Sequence, residues 1–320
     1  MSDRNRNVWI IVVVVVVLLC CCAAAATATV ALLMGMVPIS MVSLGDGPAV
    51  RETLQETFTA DGASVLKVDS FSGAITVRGA ATDELRVLAT KQAGRQSDLD
   101  RVQVRMTPTD GGFLIQTSRP GSVRNAWVNL EITVPRSTRL DLDTGSGSVK
   151  VFGIASEVRL HTASGSVEIG DVTGNLDIRS DSGSLQVEQL AGRLDAWTAS
   201  GSIVLIDVQG EVDAHTNSGR VEARNATGKA LLDTNSGSVR YQGVPEGDCR
   251  FSTKSGSITL RVPADLDATL DLSTSSGSVN HEFSVTGIVR RNMVDGIIGD
   301  GQGCRIYAHT PSGSIDLLAR

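Results

Sequence analysis

The sequence predicts an all-β protein: a single-stranded β-solenoid with about 18 residues per coil, preceded by one N-terminal transmembrane helix. Three observations carry that expectation. A Ser-Gly turn recurs at fixed spacing, apolar residues alternate on both sides of it, and the composition suits short strands joined by tight turns. The 320 residues include 33 glycines and only 3% aromatics, and 41% apolar residues suffice to bury a core.

The repeat sets the first element. Ser146, Ser164, Ser182, Ser200, Ser218 and Ser236 follow one another every 18 residues, each with a glycine after it: Gly147, Gly165, Gly183, Gly201, Gly219 and Gly237. Ser255, Ser276 and Ser312 continue the series less regularly, and an early copy stands at Ser72. A period near 20 marks coils that cannot bury their apolar side alone. Three positions after the serine stand Val149, Val167, Leu185, Ile203, Val221 and Val239; four before it stand Leu142, Leu160, Ile178, Ala196, Ala214 and Leu232. Alternation on both sides of a turn means two short strands of about five residues, each with one buried face.

A further apolar column, Ile154, Val172, Leu190, Val208 and Val244, follows a change of parity near Gly170, which predicts a second bend and a third short side. Gly174, Gly192, Gly210 and Gly228 mark the return corner. Stacked coils place equivalent residues about 4.8 Å apart, so corners must nest, and glycine supplies positive φ with no Cβ in the neighbour's way. Thr162, Thr198, Thr216 and Thr234, two before the ruler serine, keep the inward parity and are expected, with the serines, to form hydroxyl-to-hydroxyl ladders.

The expected domain organisation is a tail at 1–7, a transmembrane signal-anchor helix at 8–37, a linker at 38–60 and a β-solenoid at 61–320. Within the last, 79–138 is an irregular hairpin or cap insertion, 139–286 holds regular coils, and 287–320 is an irregular C-terminal coil and cap. The insertion reads as hairpin strands, with a short helical piece at "GRQSDLD" and a turn at "DGG". The glycine-rich 294–303 fills a missing period and is expected to loop over the last coil. Residues 8–37 contain no charged side chain, longer than the roughly 7–15 apolar residues of a cleavable signal and enough for a helix to span. Arg4 and Arg6 precede the span, placing the N-terminus in the cytoplasm and the rest outside a cell membrane crossed once.

Chemistry is sparse. A net charge of −6 offers nothing to nucleic acid, and no cofactor is implied. The turn serines lack the flanking glycines of a hydrolase elbow, so they are corners and no catalytic residue is assigned. Asp177, Asp195 and Asp213 form one outward column in consecutive coils, where like charges repel. They serve as a solvated face, neutralised in part by Arg159 and Arg179, or as contacts for a cation or ligand. Trp197, in the adjacent column between Arg179 and His215, fills the strand face or anchors a sugar or peptide. His161, His215 and His309 share that outward column, too far apart for a joint metal site. Cys249 and Cys304 are expected about two coils apart, beyond disulfide reach, as free thiols.

The ladder "LKVDSFSGAITVRG", the strand "VNLEITVP" and the closing "GQGCRIYAHTPSGSIDL" resemble the bacterial "putative adhesin" family, a domain of unknown function often tethered to the envelope by one membrane helix. The resemblance covers roughly residues 50–320. It implies a right-handed or flattened β-solenoid at the cell surface and supplies no catalytic residues. The chain departs from the family's habit of Asp or Asn after the turn glycine: it has Ser nearly throughout, and Arg220 once. The expected function is a non-enzymatic binding or structural module that meets envelope polymer or a surface protein. The alternative is an envelope-stress sensor or regulator acting through a membrane partner.

Overall fold

The computed structural model describes residues 50–60, 64–121, 123 and 125–320. The expected tail at 1–7 and helix at 8–37 lie outside these residues. Among those described, no helix is long and apolar enough to cross a membrane. The N-terminal part comprises β1 (Val50–Thr59), β2 (Val65–Ser70), β3 (Ile75–Ala80), β4 (Glu84–Ala93), helix α1 (Gln96–Leu99), β5 (Gln103–Thr109), β6 (Gly112–Ser118) and β7 (Ala126–Pro135). Residues 50–59, read from sequence as the end of a linker, are thus a strand, because Leu54 and Phe58 pack against the core while β1 pairs antiparallel with β4.

Twelve strands then alternate down the regular coils: β8 (Arg139–Thr144), β9 (Val149–Ile154), β10 (Val158–Ser164), β11 (Val167–Thr173), β12 (Leu176–Ser182), β13 (Leu185–Ala191), β14 (Leu194–Ser200), β15 (Ile203–Gln209), β16 (Val212–Ser218), β17 (Val221–Gly228), β18 (Ala230–Ser236) and β19 (Val239–Pro245). Even-numbered strands pair in parallel in one sheet and odd-numbered strands in another, with Leu176 beside Leu194 and Leu185 beside Ile203. The two sheets face each other across one core of Val, Leu and Ile. Such all-β, parallel, stacked coils are consistent with a solenoid.

The corner explains the repeated phrase. At Gly201 the backbone has φ +151°, and a Cβ there would lie 2.0 Å from the carbonyl oxygen of Gly183 in the coil below. The Gly201 N–H donates to the carbonyl of Ser218 in the coil above, at 3.0 Å. No side chain fits between coils joined this closely. The threonines are buried as expected, but they do not form hydroxyl-to-hydroxyl ladders. Thr216 and Thr234 each donate at 3.0 Å to the corner carbonyls of Gly201 and Gly219, because that oxygen is the nearest acceptor facing inward. Thr162 donates instead to the carbonyl of Ser164, and the hydroxyls of Thr144 and Ser180 are buried without a partner.

The expected third side is absorbed into the second strand. Asp171, Gln189, Asp207 and Asn225 adopt φ between 52° and 56°, one per coil. Each left-handed residue reverses the parity, which returns Val172, Leu190 and Val208 to the core within a continuous strand. Val244 leaves that column. The next coil lacks the left-handed residue, so Ala226 pairs with Gly243, and the Tyr241 ring fills the space with its hydroxyl donating to Ala226 O at 3.3 Å. The 19-residue step to Ser255 conceals this one-residue loss, made up by a longer return loop at Glu246–Gly247.

The C-terminal part breaks chain order. It contains β20 (Asp248–Ser255), β21 (Ile258–Val262), β22 (Ala268–Ser276), β23 (Val279–His281), β24 (Thr286–Arg290), β25 (Met293–Ile298), β26 (Cys304–Ser312) and β27 (Ile315–Ala319). The last coil in sequence, β26 with β27, lies between the coils of β20/β21 and β22/β23. Gly256 N therefore donates to Ser312 O, and Gly313 N to Ser276 O. Residues 287–320 hold an interior coil as well as a cap. The first half of the glycine-rich segment lies in β25, paired antiparallel with β22, its second half is the turn into β26, and β24 lies outside β25. At the other end β4, β7 and β1 extend the odd-numbered sheet, while the β5–β6 hairpin extends the other.

Candidate functional site

The even-numbered sheet turns every second residue outward, and parallel pairing without register slips converts sequence columns into rows of neighbours. Asp177 pairs with Asp195 and Asp195 with Asp213. The three expected aspartates are therefore adjacent, as are Arg179, Trp197 and His215 in the next column. Arg179 reaches both upper carboxylates, with Nε 3.4 Å from Asp177 Oδ1 and Nη2 3.5 Å from Asp195 Oδ1. Arg159 does not join them. It turns to Glu157 at 2.8 Å, because the return corner offers a nearer carboxylate.

Asp213 is the exception in the row. No cation lies within ion-pair distance of it among the described residues, and partial burial, then the neighbouring Asp195 charge, push its carboxyl above the ordinary aspartate range. His215 faces away from it, with Nδ1 2.7 Å from Asp233 Oδ2 and Nε2 3.2 Å from Asn217 Oδ1. Three half-buried carboxylates, one bridging guanidinium and an indole thus line an open sheet face. Such a face can accept hydroxyls and stack a sugar or peptide plane. Among the described residues, no group of three His, Cys, Asp or Glu is placed to hold a metal ion.

The corner serines Ser164, Ser182, Ser200, Ser218 and Ser236 are exposed, with their glycines forming the coil contacts. Ser146 is half-buried and donates at 3.1 Å to Ser72. His161, His215 and His309 lie in one column as expected; His161 Nδ1 is 3.3 Å from Asp143 Oδ2, and His309 Nδ1 is 3.1 Å from Ser273 Oγ. That last pair sits on interior strands whose backbone N–H groups serve the sheet ladder and so do not form a backbone oxyanion hole there. Sequence reasoning missed this pair, since it depends on β26 docking beside β22.

Cys249 and Cys304 are both free and buried. They lie in adjacent coils, not two apart, because Cys249 is paired with Ile306 in the inserted strand. Burial pushes the Cys304 thiol up to about 11 and also raises Cys249.

Fold and face together define a stacked-coil, all-β repeat protein with a regular polar surface. Residues 63–246 match the family described as Toastrack DUF4097, and the chain belongs to that family. No curated protein matches. Among solved structures, a "putative cell adhesion protein" from Clostridium sporogenes is 12% identical, covering 84% of this chain and 100% of its own, with a TM-score of 0.24. A "putative adhesin" from Bacteroides fragilis is 11% identical over 83% of this chain and 97% of its own, with a TM-score of 0.27.

Proposed function

We propose that the chain is a non-enzymatic cell-surface module: a membrane helix at 8–37 holds a β-solenoid rod outside the cell, and the rod's regular face binds envelope polymer or a surface protein. The observation that carries this reading is the outer row Asp177, Asp195 and Asp213 beside Trp197, held by parallel pairing at one fixed spacing. A row of acceptors repeated over three coils suits a repeated ligand, since each of these coils offers a polymer a carboxylate one strand spacing further on, between Arg159 and Leu231 at the row's two ends. The indole supplies a large apolar plane beside these carboxylates on which a sugar ring or a peptide side chain can settle.

Co-sedimentation of the full chain with purified envelope polymer, with cross-linking to surface proteins as the second arm, tests the reading. Binding that falls at least tenfold in Trp197→Ala combined with Asp195→Ala, with circular dichroism unchanged, supports it. Binding indifferent to both changes contradicts it. Protease shaving of intact cells should release peptides from 64–320, and their absence contradicts the surface placement. If exchanging residues 8–37 for an unrelated span abolishes the phenotype while ligand capture survives, the regulator acting through a membrane partner replaces it.

A further inference from the structure

Each of the two sheets ends in two edge strands, and three of these four edges are blunted. β1 carries Arg51, Glu52 and Glu56 along its length, β5 carries Arg105 and Pro108, and β23 is only three residues long. Charge, proline and brevity are the ordinary defences of an open edge against another chain. β24 has a single charged residue, Arg290, at its last position, and no proline. All five of its residues are exposed, and it is hydrogen-bonded only to β25. Ile288 at 47% and Val289 at 50% are the exposed large hydrophobic residues among those described, and both lie on this one strand.

We propose that β24 is a self-association edge, where a second copy of this chain adds its own β24 antiparallel about a two-fold axis through Ile288. A two-fold contact must be self-complementary, with each residue meeting its counterpart's partner. Pairing all five residues with like faces together permits one register: Thr286 opposite Arg290, Gly287 opposite Val289, and Ile288 opposite itself. On the inner face, Val289 continues the row of Leu272 and Val294, both wholly buried, and then meets the bare backbone of Gly287 of the second copy, which leaves room for it. On the outer face the two Ile288 side chains cover each other. Arg290 lies over the small Thr286 of the other copy, whose own neighbour is Ile297, and no two like charges face each other. Apolar burial and the absence of like-charge pairs therefore agree on the same partner.

β1 and β5 end the sheets at one pole and β24 at the other, so the described chain begins at the end opposite this edge. With 14 strands in the longer sheet, the two poles are about 60 Å apart. Two rods joined at β24 therefore meet tip to tip, with their two Val50 residues at opposite ends of the pair. If the surface placement proposed above holds, the joined rods bridge facing surfaces. The pairing itself is independent of what the outer face binds.

Cysteine cross-linking of the full chain in mild detergent tests this register. Ile288→Cys should give disulfide dimers at least tenfold above the unaltered chain, whereas Thr286→Cys alone stays at background. Mixing Thr286→Cys chains with Arg290→Cys chains should restore cross-linking. Val289→Lys should convert dimer to monomer in sedimentation velocity with an unchanged β spectrum. Equal yields at positions 286 and 288, background yield at 288, or a dimer unaffected by Val289→Lys would overturn the proposal. So would a chain that stays monomeric while an added, unrelated extended peptide protects the β24 amides. Dimers that form while the outer face captures no polymer support the pairing and remove the reading of that face, so the two failures are distinguishable.

Discussion

From Arg139 to Val262 the coils succeed one another in space as they do in sequence; beyond Pro263 they do not. In the first region Gly201 N donates to Ser218 O, one coil later in the chain. In the second, Gly256 N donates to Ser312 O, and the coil between them in sequence lies outside. The corner geometry is nevertheless the same, with a Cβ at Gly313 falling 2.0 Å from Gly256 O, as one at Gly201 falls 2.0 Å from Gly183 O. A coil therefore docks by corner nesting and strand pairing. Chain order is incidental to both.

The largest single-residue effect should come from the corner. Gly201→Ala sets a Cβ against a backbone oxygen at a φ that side chains rarely adopt, and it should cost about 4 kcal/mol or more in chemical denaturation. Gly247→Ala, at φ +62° with nothing within 4 Å of the added Cβ, should cost only about 1 kcal/mol. Equal costs would show that conformation, and not nesting, selects glycine at the corner.

Threonine gives a sharper contrast. Thr216→Val removes a 3.0 Å bond to a corner carbonyl in a buried position and should cost about 1–2 kcal/mol. Thr144→Val removes a buried hydroxyl that has no partner and should be neutral or stabilising. If both cost the same, the corner carbonyl is not what holds the threonine column.

At the C-terminal end, Cys249, Cys304 and Tyr241 all have pKa values raised chiefly by burial. A group whose folded pKa is raised contributes stability below its unfolded value and loses it as pH climbs toward the folded one. The cysteine contribution should therefore be intact below about 9 and fall as pH rises to about 11, the value for Cys304. Denaturation midpoints measured across that window should drop, and Cys249→Ala combined with Cys304→Ala should flatten the drop. Thiol reagents should label neither cysteine in the native protein at neutral pH.

The smallest expected effect is on the outer face. Asp213→Asn removes a carboxylate held above its ordinary pKa by burial and by Asp195. It should raise stability by a few tenths of a kcal/mol at neutral pH after solvent screening. A loss of stability there would show that the charge is in use.

Most of the coil was legible because each column carries its own physical requirement: a β-branched or Leu side chain inward, glycine where a Cβ collides, and polar residues outward. The adjacency of Asp177, Asp195 and Asp213 followed from the same period. Two features did not follow. Asp171, Gln189, Asp207 and Asn225 are ordinary surface residues in sequence, and only their shared position after the parity change betrays a left-handed bend. The order of the last coils was hidden for a different reason. Equivalent corners read alike whichever neighbour they meet, so the columns show which residues share a level and not which levels touch.

The most direct measurement compares two deletions of nearly equal length by urea denaturation and circular dichroism. Excising Glu157–Gly174 removes one full coil, and its neighbours can close on each other with the same corners; a shorter, cooperative β-protein should result. Ending the chain at Gly303 removes β26 and β27 from the interior of the stack, stranding the outer coil and its cap, and cooperativity should be lost at that end. Global unfolding on the internal excision, or one intact transition after the terminal truncation, would contradict corner nesting and strand pairing as what joins the coils.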